Sequence, residues 1–248
     1  MTLSKLVVLL SSLVASGALM AQTKAPEPDY TLSYNIGAVT DYRYRGISQS
    51  ARKPALQGGV DFAHKSGFYL GTWASTIRWI KDTPPADKGS VEVDLYGGYK
   101  GAINDKLSYD VGGLYYWYVD NNYKLATGEN ANTFELYGAL TYGPATVKYS
   151  HSLTNLFGTP DSKQSGYLDL GANVPVAEGL LLNLHVGRQR VKNNGALSYT
   201  DYKVGLTKDF GFASVSLAWI KANTSAYVSP TGRNLGKSAA VLSVSKTF

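Results

Sequence analysis

The sequence predicts an all-β fold: a twelve-stranded antiparallel up-and-down transmembrane β-barrel preceded by a cleavable signal peptide. Three observations predict it. Apolar and polar residues alternate with a period of two in segment after segment from Tyr30 onward, with almost no helical period between them. The connections between these segments alternate strictly between long and short. Aromatic residues gather near both ends of the segments, while outward mid-segment positions are aliphatic.

The bulk composition is compatible with this and excludes several alternatives. The chain of 248 residues has no Cys, so it has no disulfide, no thiolate metal site and no lipid-anchor cysteine. Tyr is abundant at 19, and mean hydropathy is only -0.15. A barrel accommodates that value, because lipid-facing and lumen-facing residues average out. The net charge of +6 is modest, and no Lys/Arg-rich run suggests a nucleic-acid surface.

Residues 1–21 carry Lys5, an apolar run from Leu6 to Met20, and then Ala21-Gln22. This reads as a secretory signal peptide cleaved after Ala21. The segment holds one Lys and no acid, so cleavage lowers the net charge from +6 to +5. Residues 22–29, with Pro26 and Pro28, read as a flexible lead-in. No later segment approaches the roughly 18 continuous apolar residues of a membrane helix. Residues 30–248 must then cross a membrane as strands, if they cross it at all.

The strands follow in order. Thr31–Arg45 sets Leu32, Tyr34, Ile36, Ala38, Tyr42 and Tyr44 against Ser33, Asn35, Asp41, Arg43 and Arg45. Ala55–His64 sets Leu56, Val60 and Phe62 against Gln57 and Asp61. Phe68–Trp79 is a strand whose facing the sequence does not assign, since both parities carry large apolar residues. Val91–Lys100, Leu107–Tyr118 and Thr133–Tyr142 place Glu92, Asp94, Asp110 and Glu135 opposite Leu95, Val111 and Leu136. Ala145–Ser152, Gly166–Val174 and Leu180–Arg190 place Lys148, Asp169, Asn183, His185 and Gln189 opposite Val147, Leu170 and Leu184. Thr200–Lys208 places Asp201 and Lys203 opposite Val204, and Phe212–Lys221 places Ser214 and Ser216 opposite Leu217 and Trp219. Ser238–Phe248 completes an even set and is expected to pair with the first strand, which removes both edges. It ends on an aromatic, as the terminal strand signal of bacterial outer-membrane proteins does; Lys246 departs from that signal.

Short turns (65–67, 101–106, 143–144, 175–179, 209–211) fall at one end and longer loops (46–54, 80–90, 119–132, 153–165, 191–199, 222–237) at the other. Outer-membrane barrels have this asymmetry and Greek-key sandwiches have no reason for it. All nine prolines lie outside the expected strand interiors. Two girdles are expected. Tyr34, Phe62, Tyr99, Tyr109, Tyr142, Phe210, Phe212 and Phe248 form one at the short-turn end; Tyr42, Tyr44, Trp79, Trp117, Phe134, Tyr202 and Trp219 form the other.

The run from Val39 through Asp41-Tyr42-Arg43-Tyr44-Arg45-Gly46 to Ser50 resembles the opening motif of the porin-like TorF family, the Gcw_chp domain. Pro54–Asp61, Gly67–Ser75 and Glu92–Tyr99 continue the resemblance, which covers essentially all of the chain after residue 21. It implies a proteobacterial outer-membrane β-barrel whose porin label is itself an inference. The family supplies no established catalytic or binding residues. The localisation it implies is the Gram-negative bacterial outer membrane, with outer-membrane lipid and the barrel-assembly machinery as partners, the latter engaged through the strand ending at Phe248.

Twelve strands lie between barrels that fill with side chains and barrels that hold open channels. The expected pore-lining residues are Asp41, Arg43, Arg45, Asp61, Glu92, Asp94, Asp110, Glu135, Lys148, Asp169, His185 and Lys203. Charges inside an apolar band must be hydrated or paired. The expected function is passive diffusion of small hydrophilic solutes or ions; the alternative is a plugged barrel serving as a structural or surface-receptor protein. Acids outnumber bases on the inward faces, which leans toward cations. A lipid-acting barrel enzyme ranks last. Ser150, His151, Ser152 and Asn155 have hydrolase residue types, but alternation should turn His151 away from both serines. No cofactor and no metal spacing is expected. An oligomer is compatible with the sequence, which displays no subunit interface.

Overall fold

The computed structural model describes residues 28–248, so the expected signal peptide (1–21) and all but the end of the expected lead-in (22–29) lie outside the described residues. The wall is a closed antiparallel barrel of β1 (Tyr30–Val39), β4 (Ala55–His64), β5 (Phe68–Thr76), β6 (Val91–Ala102), β7 (Leu107–Tyr118), β8 (Thr133–Tyr142), β9 (Ala145–Ser152), β10 (Gly166–Ala177), β11 (Leu180–Arg190), β12 (Tyr199–Asp209), β13 (Ser214–Ala222) and β14 (Ala239–Thr247). Each strand pairs with its neighbour in sequence, and β14 pairs with β1. Two further strands, β2 (Arg43–Tyr44) and β3 (Ile47–Ser48), pair only with each other and form no part of the wall. A four-residue helix, Lys124–Thr127, sits in one long loop. No helix among the described residues is long and apolar enough to cross a membrane, which leaves crossing to the strands.

Closure is built from the chain's two ends. The register matches Asn35 with Thr247, Ile36 with Lys246, Ala38 with Val244 and Val39 with Ser243. The main chains of Tyr34 and Phe248 exchange hydrogen bonds of 3.1 and 2.8 Å below that ladder, and Thr40 N–H donates to Leu242 O at 2.9 Å above it. The seam therefore leaves no open edge over the paired span. Lys246, the residue that departs from the usual terminal pattern, faces outward beside Ile36 and donates to Gly211 O at 2.6 Å. Its stem covers apolar wall while its ammonium reaches a turn carbonyl at the interface.

The expected facing is observed. Ile36, Leu95, Val111, Leu170, Leu184, Val204 and Leu217 are all exposed on the outer wall, as lipid-facing positions must be. Glu92, Glu135, Gln189 and Asp201 are buried on the inner one. The strand left unassigned by the sequence resolves too: Phe68 and Leu70 face out, while Tyr69, Trp73 and Ser75 face in. Tyr69 and Trp73 occupy space inside the barrel, which explains the large apolar residues on both parities.

Four expectations are corrected. The first strand ends at Val39 and not at Arg45, because the chain leaves the wall at Asp41 and turns into the lumen. The third ends at Thr76 and not at Trp79. Tyr42, Tyr44 and Trp79 are therefore not girdle residues. Tyr42 packs on Trp73 and Tyr44 on Tyr116, while Trp79 packs on Tyr118 and Tyr123, all within the interior. Pro175 lies inside β10, at a register shift between Pro175 and Ala177, where a bulge tolerates the missing donor. The remaining girdles stand: Tyr34, Tyr99, Tyr142, Phe210, Phe212 and Phe248 are exposed at the short-turn end, and Trp117, Tyr202 and Trp219 at the long-loop end.

Two inner-face glycines admit aromatic rings. A Cβ on Gly98 would meet the Tyr69 hydroxyl at 2.6 Å, and one on Gly112 would meet the Tyr137 hydroxyl at 2.6 Å. Each tyrosine lies over the bare backbone of a neighbouring strand, so the Gly-rich runs serve close packing.

If the wall is sealed, unboiled protein will migrate faster than boiled protein in detergent gels, and equal mobility would contradict closure. Val204→Arg should lower stability by about 2–4 kcal/mol in urea titrations from lipid vesicles, since it places a cation at the lipid-facing midplane.

Candidate functional site

The site is the lumen and the hairpin that crosses it. Asp41 starts the departure: its carboxylate accepts Ser48 Oγ at 2.5 Å and Arg43 Nε at 2.7 Å, which ties the two arms of β2–β3 together. Arg43 then donates to the carbonyls of Gly46, Leu235 and Lys237 at 2.9–3.1 Å, fastening the hairpin to the last long loop. At the tip, Arg45 (φ 46°) and Gly46 (φ 76°) both take the left-handed region that a tight two-residue turn demands. Gly46 also admits no side chain, since a Cβ would stand 2.5 Å from that of Asp201 on β12.

Arg45 spans the interior. Its guanidinium makes a two-pronged contact with Glu135 at 3.0 and 2.7 Å and donates to Gln189 Oε1 at 2.8 Å. It stacks over the Tyr167 ring at 4.2 Å. Tyr44 and Tyr116 join their hydroxyls, and Tyr116 OH donates to Glu135 at 3.2 Å. A hairpin rooted between β1 and β4 thus reaches β7, β8, β10, β11 and β12. Both members of the Arg45–Glu135 pair are almost wholly buried, with side-chain exposures of 6% and 2%. Such a pair survives away from bulk water only because further donors and acceptors surround it, as Gln189 and Tyr116 do here.

The hairpin divides the lumen. On one side lies a cavity of about 370 Å³ lined by Arg43, Arg45, Lys148, Tyr167, Asp169, His185, Asp201 and Lys203. On the long-loop side lies one of about 300 Å³ lined by Trp79, Tyr118, Tyr123, Phe157 and Tyr227. Tyr44 and Arg45 border both. On the long-loop side, Tyr227 donates its hydroxyl to Leu197 O at 2.9 Å, and burial raises its phenol well above the ordinary value.

Each expected pore-lining residue has a definite place. Asp41, Arg43 and Arg45 belong to the hairpin and its root and not to the wall. Glu135 meets Arg45. Asp61 accepts the Tyr96 hydroxyl and Asp110 the Tyr69 hydroxyl, both at 2.5 Å. Lys148 stands 3.8 Å over the Tyr137 ring. His185 lies between Asp169 at 3.1 Å and Asp201 at 2.7 Å. Lys203 borders the cavity with no carboxylate within salt-bridge reach among the described residues. Glu92 and Asp94 each keep one buried oxygen without a hydrogen-bond partner among the described residues. Alternation sets Asp201 and Gln189 inward, but nothing in the sequence marks them as hairpin contacts. Nothing in the sequence singles out Tyr116 or Tyr167, although Tyr116 shares the inward parity of Asp110. Ser150 faces the cavity, whereas His151 stacks beside Tyr149 on the outer wall, so the two share no site. No group of three or more metal-ligating side chains occurs among the described residues.

Residues 23–248 match the family described as "Bacterial protein of unknown function (Gcw_chp)", and the chain belongs to it. No curated protein matches the chain at the sequence level. The fold resembles the KdgM porin, at 7% identity with a TM-score of 0.56, covering 87% of this chain and 98% of that one. It resembles the NanC porin at 10% identity with a TM-score of 0.57, covering 88% and 98%. A KdgM porin in complex with disordered oligogalacturonate matches at 8% identity with a TM-score of 0.55, covering 88% and 97%. These likenesses establish a porin-type barrel architecture for this chain. The chain is a porin-fold member of the Gcw_chp family.

If Arg45 and Glu135 hold the hairpin, Glu135→Gln should leave a buried guanidinium half-paired, at a cost of about 3–5 kcal/mol. Hydrogen exchange at the amides of Ser48 and Gln49, which donate to Leu235 and Tyr42, should then quicken while the wall amides stay protected. Unchanged exchange would show that other contacts hold the hairpin.

Proposed function

We propose that the protein is an outer-membrane channel for passive diffusion of small hydrophilic solutes or ions, residing in the Gram-negative outer membrane after removal of residues 1–21. The observation that supports this most is a sealed, polar-lined lumen whose cavities meet at Tyr44 and Arg45. The pore-lining residues are those on the inner wall and the hairpin named above, and they carry out no bond chemistry. Assembly proceeds through recognition of β14 ending at Phe248 by the barrel-assembly machinery.

Pairing leaves standing the charge preference that a bare count of acids suggests. Asp41 is engaged by Arg43, Glu135 by Arg45, and Asp169 and Asp201 by His185. Lys148 and Lys203 face the same cavity without such partners among the described residues. Asp61, Glu92, Asp94 and Asp110 also lack an ion-pair partner among the described residues, so acids still outnumber bases along the lumen and the channel favours cations. The hairpin supports a second reading, a plugged barrel acting as a structural or receptor protein, because Arg45 is held from several walls at once.

Single-channel recording in planar bilayers separates the two readings. The channel reading expects discrete steps, a reversal potential that favours potassium in a KCl gradient, and larger steps for Arg45→Ala. Lys148→Glu with Lys203→Glu should strengthen the preference. Silent bilayers from wild type and Arg45→Ala alike would leave the plugged reading standing.

A further inference from the structure

The lumen does not account for a cationic sector on the outer wall. Beyond Val186, the outward positions of β11 change abruptly from aliphatic to Arg188 and Arg190, both exposed. With Lys192 they ring an outward concavity of about 460 Å³ that contains no acid. Lys221 stands nearby on β13, level with Tyr202 and exposed. Arg188 holds Thr200 Oγ1 at 3.2 Å. None of these four cations has a carboxylate within 4.0 Å among the described residues. Val186 pairs with Tyr202 of the long-loop aromatic girdle, and Arg188 and Arg190 are the next two outward positions toward the long loops. Comparable outward positions on other strands carry Thr76, Val91, Trp117 and Tyr149, so the charge belongs to one sector and does not form a ring.

A second feature adjoins it. Below the cations the outer wall is indented by a groove of about 820 Å³, lined by Leu140, Val147, Leu170, Leu184, Val186 and Val204. Small Ala145 and Ala172 open its floor, and Lys221 stands at its long-loop mouth. Val186 lines the groove and Arg188, two residues along the same strand face, lines the basic concavity. An apolar trough with cations at one mouth complements one chemistry: an acyl chain continuous with a phosphate.

We propose that the wall from β9 to β13 binds a phosphorylated lipid of the outer leaflet, its phosphate held by Arg188, Arg190 and Lys192 and an acyl chain laid in the groove beneath. This rests on the outer-membrane location proposed above. Arginines suit the role because a guanidinium meets two phosphate oxygens at once. The interfacial site also keeps both partners partly out of water, where charge pairing is stronger than in bulk solvent.

Native mass spectrometry of detergent-purified protein tests it with three probes: lipid A bearing its phosphates, the same lipid dephosphorylated, and inorganic phosphate. Wild type should retain the phosphorylated lipid, with about tenfold weaker retention of the dephosphorylated form. Arg188→Gln with Arg190→Gln should lose about the same factor, and Ala172→Phe should weaken the lipid by filling the trough while leaving phosphate binding alone. Equal retention of both lipids, or unchanged retention in both variants, overturns the proposal. So does inorganic phosphate binding as tightly as the lipid, which would assign a free anion, and so does a lipid-independent dimer formed through this wall. Conductance should be unaffected by all three substitutions, so failure of this site and failure of the channel reading show up separately.

Discussion

The structure depends on the main-chain hydrogen bonds between β1 and β14. Within hydrocarbon an unpaired N–H or C=O costs several kcal/mol, and an open sheet would present a whole row of them on each edge. The pairing of Asn35–Val39 with Ser243–Thr247, extended by Tyr34 with Phe248 and Thr40 with Leu242, removes both rows. Everything else follows from that closure. Alternation around a closed wall gives an outer face of Ile36, Leu95 and Leu184 and an inner one of Glu135, Gln189 and Asp201. The inner face can be charged because it is shielded from lipid, and it can be narrowed because a segment can fold into it.

The hairpin supplies the narrowing. Its cost is substantial: a guanidinium and a carboxylate leave bulk water, and two residues enter the left-handed region. These costs are offset by a dense set of contacts, with Arg43 on three carbonyls, Arg45 on Glu135, Gln189 and Tyr167, and the Tyr44–Tyr116 hydroxyl pair. Such contacts define a constriction with a fixed shape. They match Arg43 and Arg45 with one carboxylate each and so leave the balance of charge in the lumen to the wall residues, Asp61, Glu92, Asp94 and Asp110 against Lys148 and Lys203.

Much of the wall was legible because its physics is local. A half-buried strand writes its facing into every second residue, so Ala55–His64, Leu107–Tyr118 and Leu180–Arg190 could be bounded to the residue from alternation and turn signals alone. The hairpin was illegible for the same reason. Tyr42, Arg43, Tyr44 and Arg45 continue the alternation of β1, so a period of two extends the strand where the chain in fact leaves it. What turns it inward is Arg43 reaching carbonyls nearly two hundred positions away and Arg45 reaching Glu135, contacts that no local pattern records. The tip itself gives a weak signal, since Arg45 is not a residue that announces positive φ. Tyr116 and Tyr167 carry no sequence signal of their role, because a tyrosine reads equally well as girdle or lumen. The facing of Phe68–Thr76 needed the interior partners of Tyr69 and Trp73.

Closure is tested most directly at the seam. The chain has no Cys, so Ala38→Cys with Val244→Cys, a matched pair across β1 and β14, introduces a single reporter. In membrane-inserted protein the account predicts an oxidised link that makes the boiled protein migrate faster than boiled wild type until a reductant is added. Failure of the pair to link, in protein that still inserts and in which each single variant is normal, would contradict a sealed wall.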